Sequence, residues 1–172
     1  MVLSTWDEVV HEGLRGKDVR LATYVPDRVL VPLIRRLHED SAFTTFACTR
    51  EEEAIGIVCG AWMAGMRGVV LMQTSGFATL GNVLASLPVP YQIPVVMIVS
   101  ERGTLGEFNQ GQVLVCRTLR PILEAAGIEH HTVTRLDELH FILERSLTQA
   151  YATQMPVAIV LNPLLTGGKV FK

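Results

Sequence analysis

The stretch Cys48-Thr49-Arg50-Glu51-Glu52-Glu53-Ala54-Ile55-Gly56 holds the residues of this chain best suited to chemistry. Thr49 with Glu52 three residues later reads as a capping box, satisfying orphan amides at the start of a helix. Acids in a first helical turn are also favoured by the helix dipole, and that is enough to account for Glu52 and Glu53 as solvated groups. Glu51 differs because of its neighbours on the C-terminal side. Residues 54–64 are Ala-Ile-Gly-Ile-Val-Cys-Gly-Ala-Trp-Met-Ala, apolar all round, which is the composition of a helix buried on every side. Gly56, Gly60 and Ala64 recur every four residues and form a small-residue stripe. Glycine in a helix interior costs about 1 kcal/mol relative to alanine, so the stripe implies a packing reason. A helix from another chain and tight packing within the domain account for it equally well.

Other familiar chemistries lack their residues. The five histidines (His11, His38, His130, His131 and His140) have no metal-ligand spacing. Ser75 sits in Gln73-Thr74-Ser75-Gly76-Phe77, which is not a nucleophile elbow. No Gly-rich dinucleotide fingerprint or phosphate loop occurs. Cys48, Cys59 and Cys116 show no C-x-x-C spacing and read as reduced packing residues. The net charge is −2, with no basic block, which argues against nucleic acid as a partner. Residues 1–20 lack the apolar core of a secretory leader. The longest apolar runs, such as Val95 to Val99, are too short to span a bilayer. A cytoplasmic protein is expected.

The elements that must position these residues emerge from periodicity. The 172 residues suit one domain, taken as 1–172. At 49% hydrophobic and 19% charged, the chain implies strands buried on both faces or surface reserved for partners. Helical patterns cover Thr5 to Gly16, a segment from about Pro26 to His38, Arg50 to Met66, Leu80 to Leu87, Thr118 to Ala126 and Asp137 to Gln154. Strand-length runs cover Leu21 to Val25, Thr44 to Cys48, Gly68 to Met72, Val95 to Ser100, Glu129 to Val133 and Val157 to Leu161. A polar loop is expected from Glu101 to Gln112. This alternation predicts an α/β fold, a mainly parallel sheet covered by helices on both faces in three layers. Ligands then bind outside the carboxyl ends of the strands, at residues 26–28, 48–53, 73–82 and 101–112.

An acid opening a helix, with glycine nine positions later in a small apolar segment, resembles the pyrimidine-binding domain of thiamine-diphosphate enzymes. Setting Gly60 on that glycine puts the cofactor-activating glutamate of the family at Glu51. More narrowly, Thr49 to Gly65 looks like the sulfopyruvate decarboxylase alpha subunit and its relative phosphonopyruvate decarboxylase. Three further stretches occur in the expected order: Val25-Pro26-Asp27, Met72-Gln73-Thr74-Ser75-Gly76 with Gly81-Asn82, and Arg102-Gly103 with Glu107 and Gln112. The likeness runs from about Val25 to Pro163. It implies that Glu51 hydrogen-bonds the cofactor's aminopyrimidine, with Gln73, Ser75 and Gly76 beside that ring. It implies Asp27, Arg102 and Gln112 as substrate-binding candidates, Arg102 for an anionic group. Each has a plainer reading: Ser75-Gly76 as a tight turn, Asp27 as a solvated first-turn acid, and Arg102 as an exposed cation. A carboxyl against apolar walls such as Ile55 and Val58 tends toward a raised pKa, which suits sharing a proton, while the helix dipole pulls it down.

The resemblance also implies a partner. Family members hold the cofactor's pyrophosphate through Mg²⁺, using a Gly-Asp-Gly turn and a downstream asparagine. This sequence has no Gly-Asp pair and no length for a second domain. The pyrophosphate-binding half, Mg²⁺ included, is therefore expected on a second subunit, in a hetero-oligomer with active sites at its interfaces. The implied reaction is decarboxylation of a 2-oxo acid to an aldehyde. Departures bear on the substrate: Thr74 stands where asparagine is usual, Phe77 would put bulk near the substrate, and Leu114 to Arg117 replaces a proline- and glycine-containing sequence. A carboligase subunit, a non-catalytic assembly domain of the same fold and a flavodoxin-like binding module remain open as alternatives.

Overall fold

Continuous runs of valine, isoleucine and leucine make the centre of the molecule, because strands covered on both faces have no polar side to present. The computed structural model describes residues 4–169. In chain order the elements are α1 (Trp6–Gly16), β1 (Val19–Tyr24), α2 (Val31–Glu39), β2 (Thr44–Ala47), α3 (Glu51–Met63), β3 (Arg67–Gln73), α4 (Thr74–Phe77), α5 (Gly81–Ser86), β4 (Val96–Ser100), α6 (Gln110–Ala125), β5 (Glu129–Val133), α7 (Leu136–Thr153), β6 (Val157–Leu161) and α8 (Pro163–Thr166). The six strands form one sheet in the order β2-β1-β3-β4-β6-β5. Every neighbouring pair is parallel. Strands β4 and β6 are buried at every position.

Two apolar cores lie on the two sides of the sheet, giving the three layers expected. One joins Leu14 of α1, Leu33 and Leu37 of α2 and Leu143 and Leu147 of α7 to the sheet residues Ala22, Leu71 and Ile98. The other joins Ile55 and Val58 of α3, Leu84 of α5 and Leu119 and Leu123 of α6 to Val70, Met97 and Val160. The chain leaves β1 for β2 through α2, then crosses back to β3 through α3 on the opposite side of the sheet. That reversal makes a topological switch point beside β1, where open α/β sheets form their crevices. Glu51 begins the helix that makes the crossing.

Several expectations need correction. The second helix does not start at Pro26 but at Val31, with Pro32 in its first turn. Residues 25–27 are irregular, and the Asp27 side chain accepts the Val29 amide at 3.1 Å, fixing a turn before the helix. The sixth helix begins at Gln110, eight residues before the expected Thr118, and shortens the preceding loop. Its cap is Asn109, whose side chain accepts from the Gly111 amide. Pro121 lies inside this helix. The third helix stops at Met63, short of Met66, because Gly65 turns the chain out with φ +85°. The short helices α4 and α8 have no counterpart in the periodicity. All three cysteines are buried and free. No helix of the described residues is long and apolar enough to cross a membrane.

Candidate active site

Glu51, Glu52 and Glu53 meet three different fates in the first turn of α3. The cap of this helix is Arg50, in extended backbone and without a side-chain cap bond, so the expected box of Thr49 and Glu52 does not form. Glu53 instead accepts the Thr49 amide at 2.8 Å. Glu52 takes the Arg50 guanidinium at 2.9 and 3.3 Å, which holds its carboxyl below the ordinary range. Glu51 is left half-buried, with no ion-pair partner among the described residues. Burial pushes its carboxyl above the ordinary range, outweighing the hydrogen bond from its own backbone amide. Of the two opposing influences expected at this position, desolvation therefore prevails over the helix terminus.

The Glu51 side chain lies along the bare Cα of Gly76. A methyl group placed on Gly76 would overlap Oε1 and Cδ of Glu51 and lie 2.7 Å from its Cγ. Gly76 is buried in the third position of α4, immediately after the end of β3. The helix is tied down on both sides. Thr74, fully buried, donates its hydroxyl to the Ser100 carbonyl at 3.1 Å and accepts the Arg102 amide at 2.8 Å. Thr79 donates to the Gly76 carbonyl at 2.8 Å. Gln73 caps α4 in extended backbone, and Ser75 is half-buried beside Gly76. The structure thus brings Glu51, Gln73, Ser75 and Gly76 to one edge of the sheet.

Asp27 reaches the same edge from β1. It is buried, not solvated, and it belongs to no helix. Its Oδ1 accepts from Ser100 Oγ at 3.0 Å as well as from the Val29 amide. Burial raises its carboxyl above the ordinary range, against the lowering pull of Ser100, Val29 and Arg102.

Arg102 is likewise buried, not exposed. Its Nε and Nη2 grip both oxygens of Glu107 at 2.7 and 2.9 Å, a bidentate pair with both side chains almost wholly enclosed. Glu107 also accepts the backbone amides of Gly103, Phe108 and Asn109. These contacts hold its carboxyl at about 2, the Arg102 hydrogen bond being the largest cause. Gly103 has φ +96°, and a Cβ there would lie 2.6 Å from Cys116 Cβ and overlap the Gln112 carbonyl oxygen. The loop is therefore folded onto the first turn of α6, where Gln112 Oε1 is buried without a hydrogen-bond partner among the described residues. Phe77 points away from the site into the core, since it is fully buried among Leu80, Leu84 and Val99.

Sequence reasoning missed Thr74 and Ser100 as contributors, and it missed the Glu101 side chain, which pairs with Arg120 at 2.9 Å and with Asn162. All of these stand at carboxyl ends of strands or just beyond, so a polar residue closing an apolar strand was the available signal. Among the described residues, no group of three or more histidine, cysteine or acidic side chains is placed to hold a metal ion.

The helix carrying Glu51 also departs from expectation on its far side. Ala54, Ile55, Val58 and Cys59 are buried against the sheet, but Gly56, Gly60 and Ala64 face outward, with Met63 78% exposed. Apart from chain neighbours and the helix's own backbone, none of the described residues comes within 4 Å of where a Cβ on Gly56 or Gly60 would stand. They give the small-residue stripe no packing partner.

No family model matches the chain. It is 36% identical over 155 residues to the sulfopyruvate decarboxylase subunit alpha of Methanothermobacter thermautotrophicus, covering 90% of this chain and 94% of that one. It is 36% identical over 130 residues to a phosphonopyruvate decarboxylase of Streptomyces viridochromogenes, covering 74% of this chain but only 33% of that longer one. Among solved structures it is similar to 2-oxoglutarate:ferredoxin oxidoreductase from Magnetococcus marinus, with a TM-score of 0.74 at 13% identity, over 95% of this chain and 29% of that one. At that identity the likeness speaks for the fold.

Proposed function

The chain belongs to the sulfopyruvate decarboxylase alpha-subunit family, and on that premise we propose that it is the pyrimidine-binding subunit of a two-subunit, thiamine-diphosphate-dependent 2-oxo acid decarboxylase. One observation carries the reading. Among the described residues, Glu51 is the one of three consecutive glutamates whose carboxyl has no hydrogen-bonding cation or amide outside its own residue, and it is half-buried over Gly76 at the carboxyl edge of the sheet. An acid so placed fits a neutral, polar ring with a nitrogen to offer it.

When bound, thiamine diphosphate supplies the electron sink for loss of carbon dioxide from the 2-oxo acid. Glu51 would hold the pyrimidine through its carboxyl and would share a proton with it, which a raised pKa suits because the proton is easily kept and easily passed. Gln73, Ser75 and Gly76, at the same edge of the sheet, would stand beside that ring. Asp27, buried with a raised pKa, stands ready to face the substrate as a proton carrier. Arg102 is preorganised by Glu107 to orient an anionic group, and Gln112 has an unclaimed buried acceptor for a donor. Mg²⁺ and the pyrophosphate are assigned to the second subunit, as Mg²⁺ takes carboxylates plus phosphate oxygens. The outward stripe of α3 is the surface offered to that subunit, and the longer phosphonopyruvate decarboxylase relative supports a missing half.

The test is reconstitution. The chain is mixed with a partner bearing a Gly-Asp-Gly turn, thiamine diphosphate and Mg²⁺, and carbon dioxide release is tracked over a panel of 2-oxo acids that includes 3-sulfopyruvate. We expect activity only with both chains, and a loss of at least ~10²-fold for Glu51→Gln. Near-wild-type turnover in that variant would end the assignment.

A further inference from the structure

Gly76 has a reason to be glycine that its backbone does not supply. It is absent from the residues with positive φ, and it lies in a helical turn where alanine is the better former. The space its missing side chain leaves is taken by Oε1, Cδ and Cγ of Glu51. We propose that Gly76 is a positioning residue, a seat of fixed height that sets where the Glu51 carboxyl stands, and not itself a group that binds the coenzyme.

The proposal rests on the reading of Glu51 as the pyrimidine ligand, but its support comes from packing. Among the described residues the carboxyl has no alternative support: Arg50 is diverted to Glu52 and the Thr49 amide to Glu53, so no hydrogen bond from another residue restrains the side chain. The seat is rigid for a traceable cause. Thr74 locks the start of α4 to the end of β4, and Thr79 locks the Gly76 carbonyl from the other side. A methyl group at Gly76 therefore finds a wall behind it that does not retreat, and the carboxyl moves instead. A displacement of about 1 Å at a catalytic group can cost about 10²-fold in rate.

The experiment is a double-mutant cycle of Gly76→Ala and Glu51→Ala in the full chain, with thermal melting as one readout and turnover of the reconstituted complex as another. In the Glu51→Ala background, Gly76→Ala should raise Tm by a few degrees, because the clash is gone and helix propensity remains. In the wild-type background the same change should give no gain or a loss, including failure to fold. Where Gly76→Ala folds, its turnover should fall about 10²-fold, and the Glu51 carboxyl, monitored by carbon-13 NMR, should titrate closer to the ordinary range. Equal effects of Gly76→Ala on Tm in both backgrounds would overturn the proposal. So would an active Gly76→Ala complex alongside an inactive Glu51→Gln complex, an outcome that leaves the decarboxylase reading standing. An active Glu51→Gln complex removes that reading instead, and the stability cycle still decides whether Gly76 seats the carboxyl.

Discussion

Ser100 donates its hydroxyl to Asp27 Oδ1 at 3.0 Å across the end of β3, the strand that separates theirs in the sheet. The bond closes a short relay along the carboxyl edge, since the Ser100 carbonyl also accepts from Thr74. Removing the donor leaves a buried carboxyl served only by backbone amides. Ser100→Ala should therefore cost roughly 1–3 kcal/mol, read as a lower Tm at pH 7. Asp27→Asn keeps the acceptor and removes the charge. Asp27 has a raised folded pKa, so its stabilising contribution is present below the ordinary value of 3.8 and is lost as pH rises through the folded value. The Tm of Asp27→Asn should accordingly overtake wild type as pH climbs from about 4 toward neutrality. Equal melting curves at pH 7 would contradict that burial.

Glu51 should show the same sign with an added functional consequence. Its folded pKa is raised by burial, so folding penalises the ionised form relative to the unfolded chain. Glu51→Gln should melt at or above the wild-type temperature at pH 7, with the difference closing as pH falls below about 4.5. Greater stability with lost turnover is the usual signature of a residue kept for chemistry.

Glu107 runs the other way. Its folded pKa is depressed from 4.5 to about 2, so its contribution is present above 4.5 and is lost as pH falls through about 2. The shift corresponds to roughly 3 kcal/mol. Glu107→Gln at pH 7 leaves the Arg102 guanidinium buried without its charge partner, at a cost of about 3–5 kcal/mol. Hydrogen exchange at the amides of Gly103, Phe108 and Asn109 should speed up before global unfolding does. Unchanged exchange at those three amides would refute the account of the loop.

The outward face of α3 separates folding from assembly. At Gly60 an added Cβ points into open space, and Gly60→Leu replaces a poor helix former with a good one. The variant should melt no lower than wild type yet fail to co-elute with the partner subunit on size exclusion. Normal co-elution would move the interface elsewhere.

Much of the fold was legible because aliphatic strands and amphipathic helices are strong patterns. The strands Glu129–Val133 and Val157–Leu161 fall where the sequence puts them. What escaped was set by contacts distant in sequence. Thr74 differs from the expected asparagine, and only the fold reveals that its hydroxyl bridges β3 to β4. The early start of α6 depends on the Asn109 cap, a local bond hidden in a polar stretch. Periodicity recognises α3 as apolar all round, but it cannot tell a helix enclosed by its own domain from one with a side left bare. Residue type alone makes Arg102 an exposed cation, and its burial depends on a glutamate five positions away whose own amide contacts require the folded loop.

The bare side of α3 has a kinetic corollary. If the proposed second subunit docks on that side, turnover should scale with the fraction of chains paired, falling on dilution and returning on concentration. Synthesis of the two polypeptides in matched amounts would then act as a throttle on flux, with no effector molecule involved.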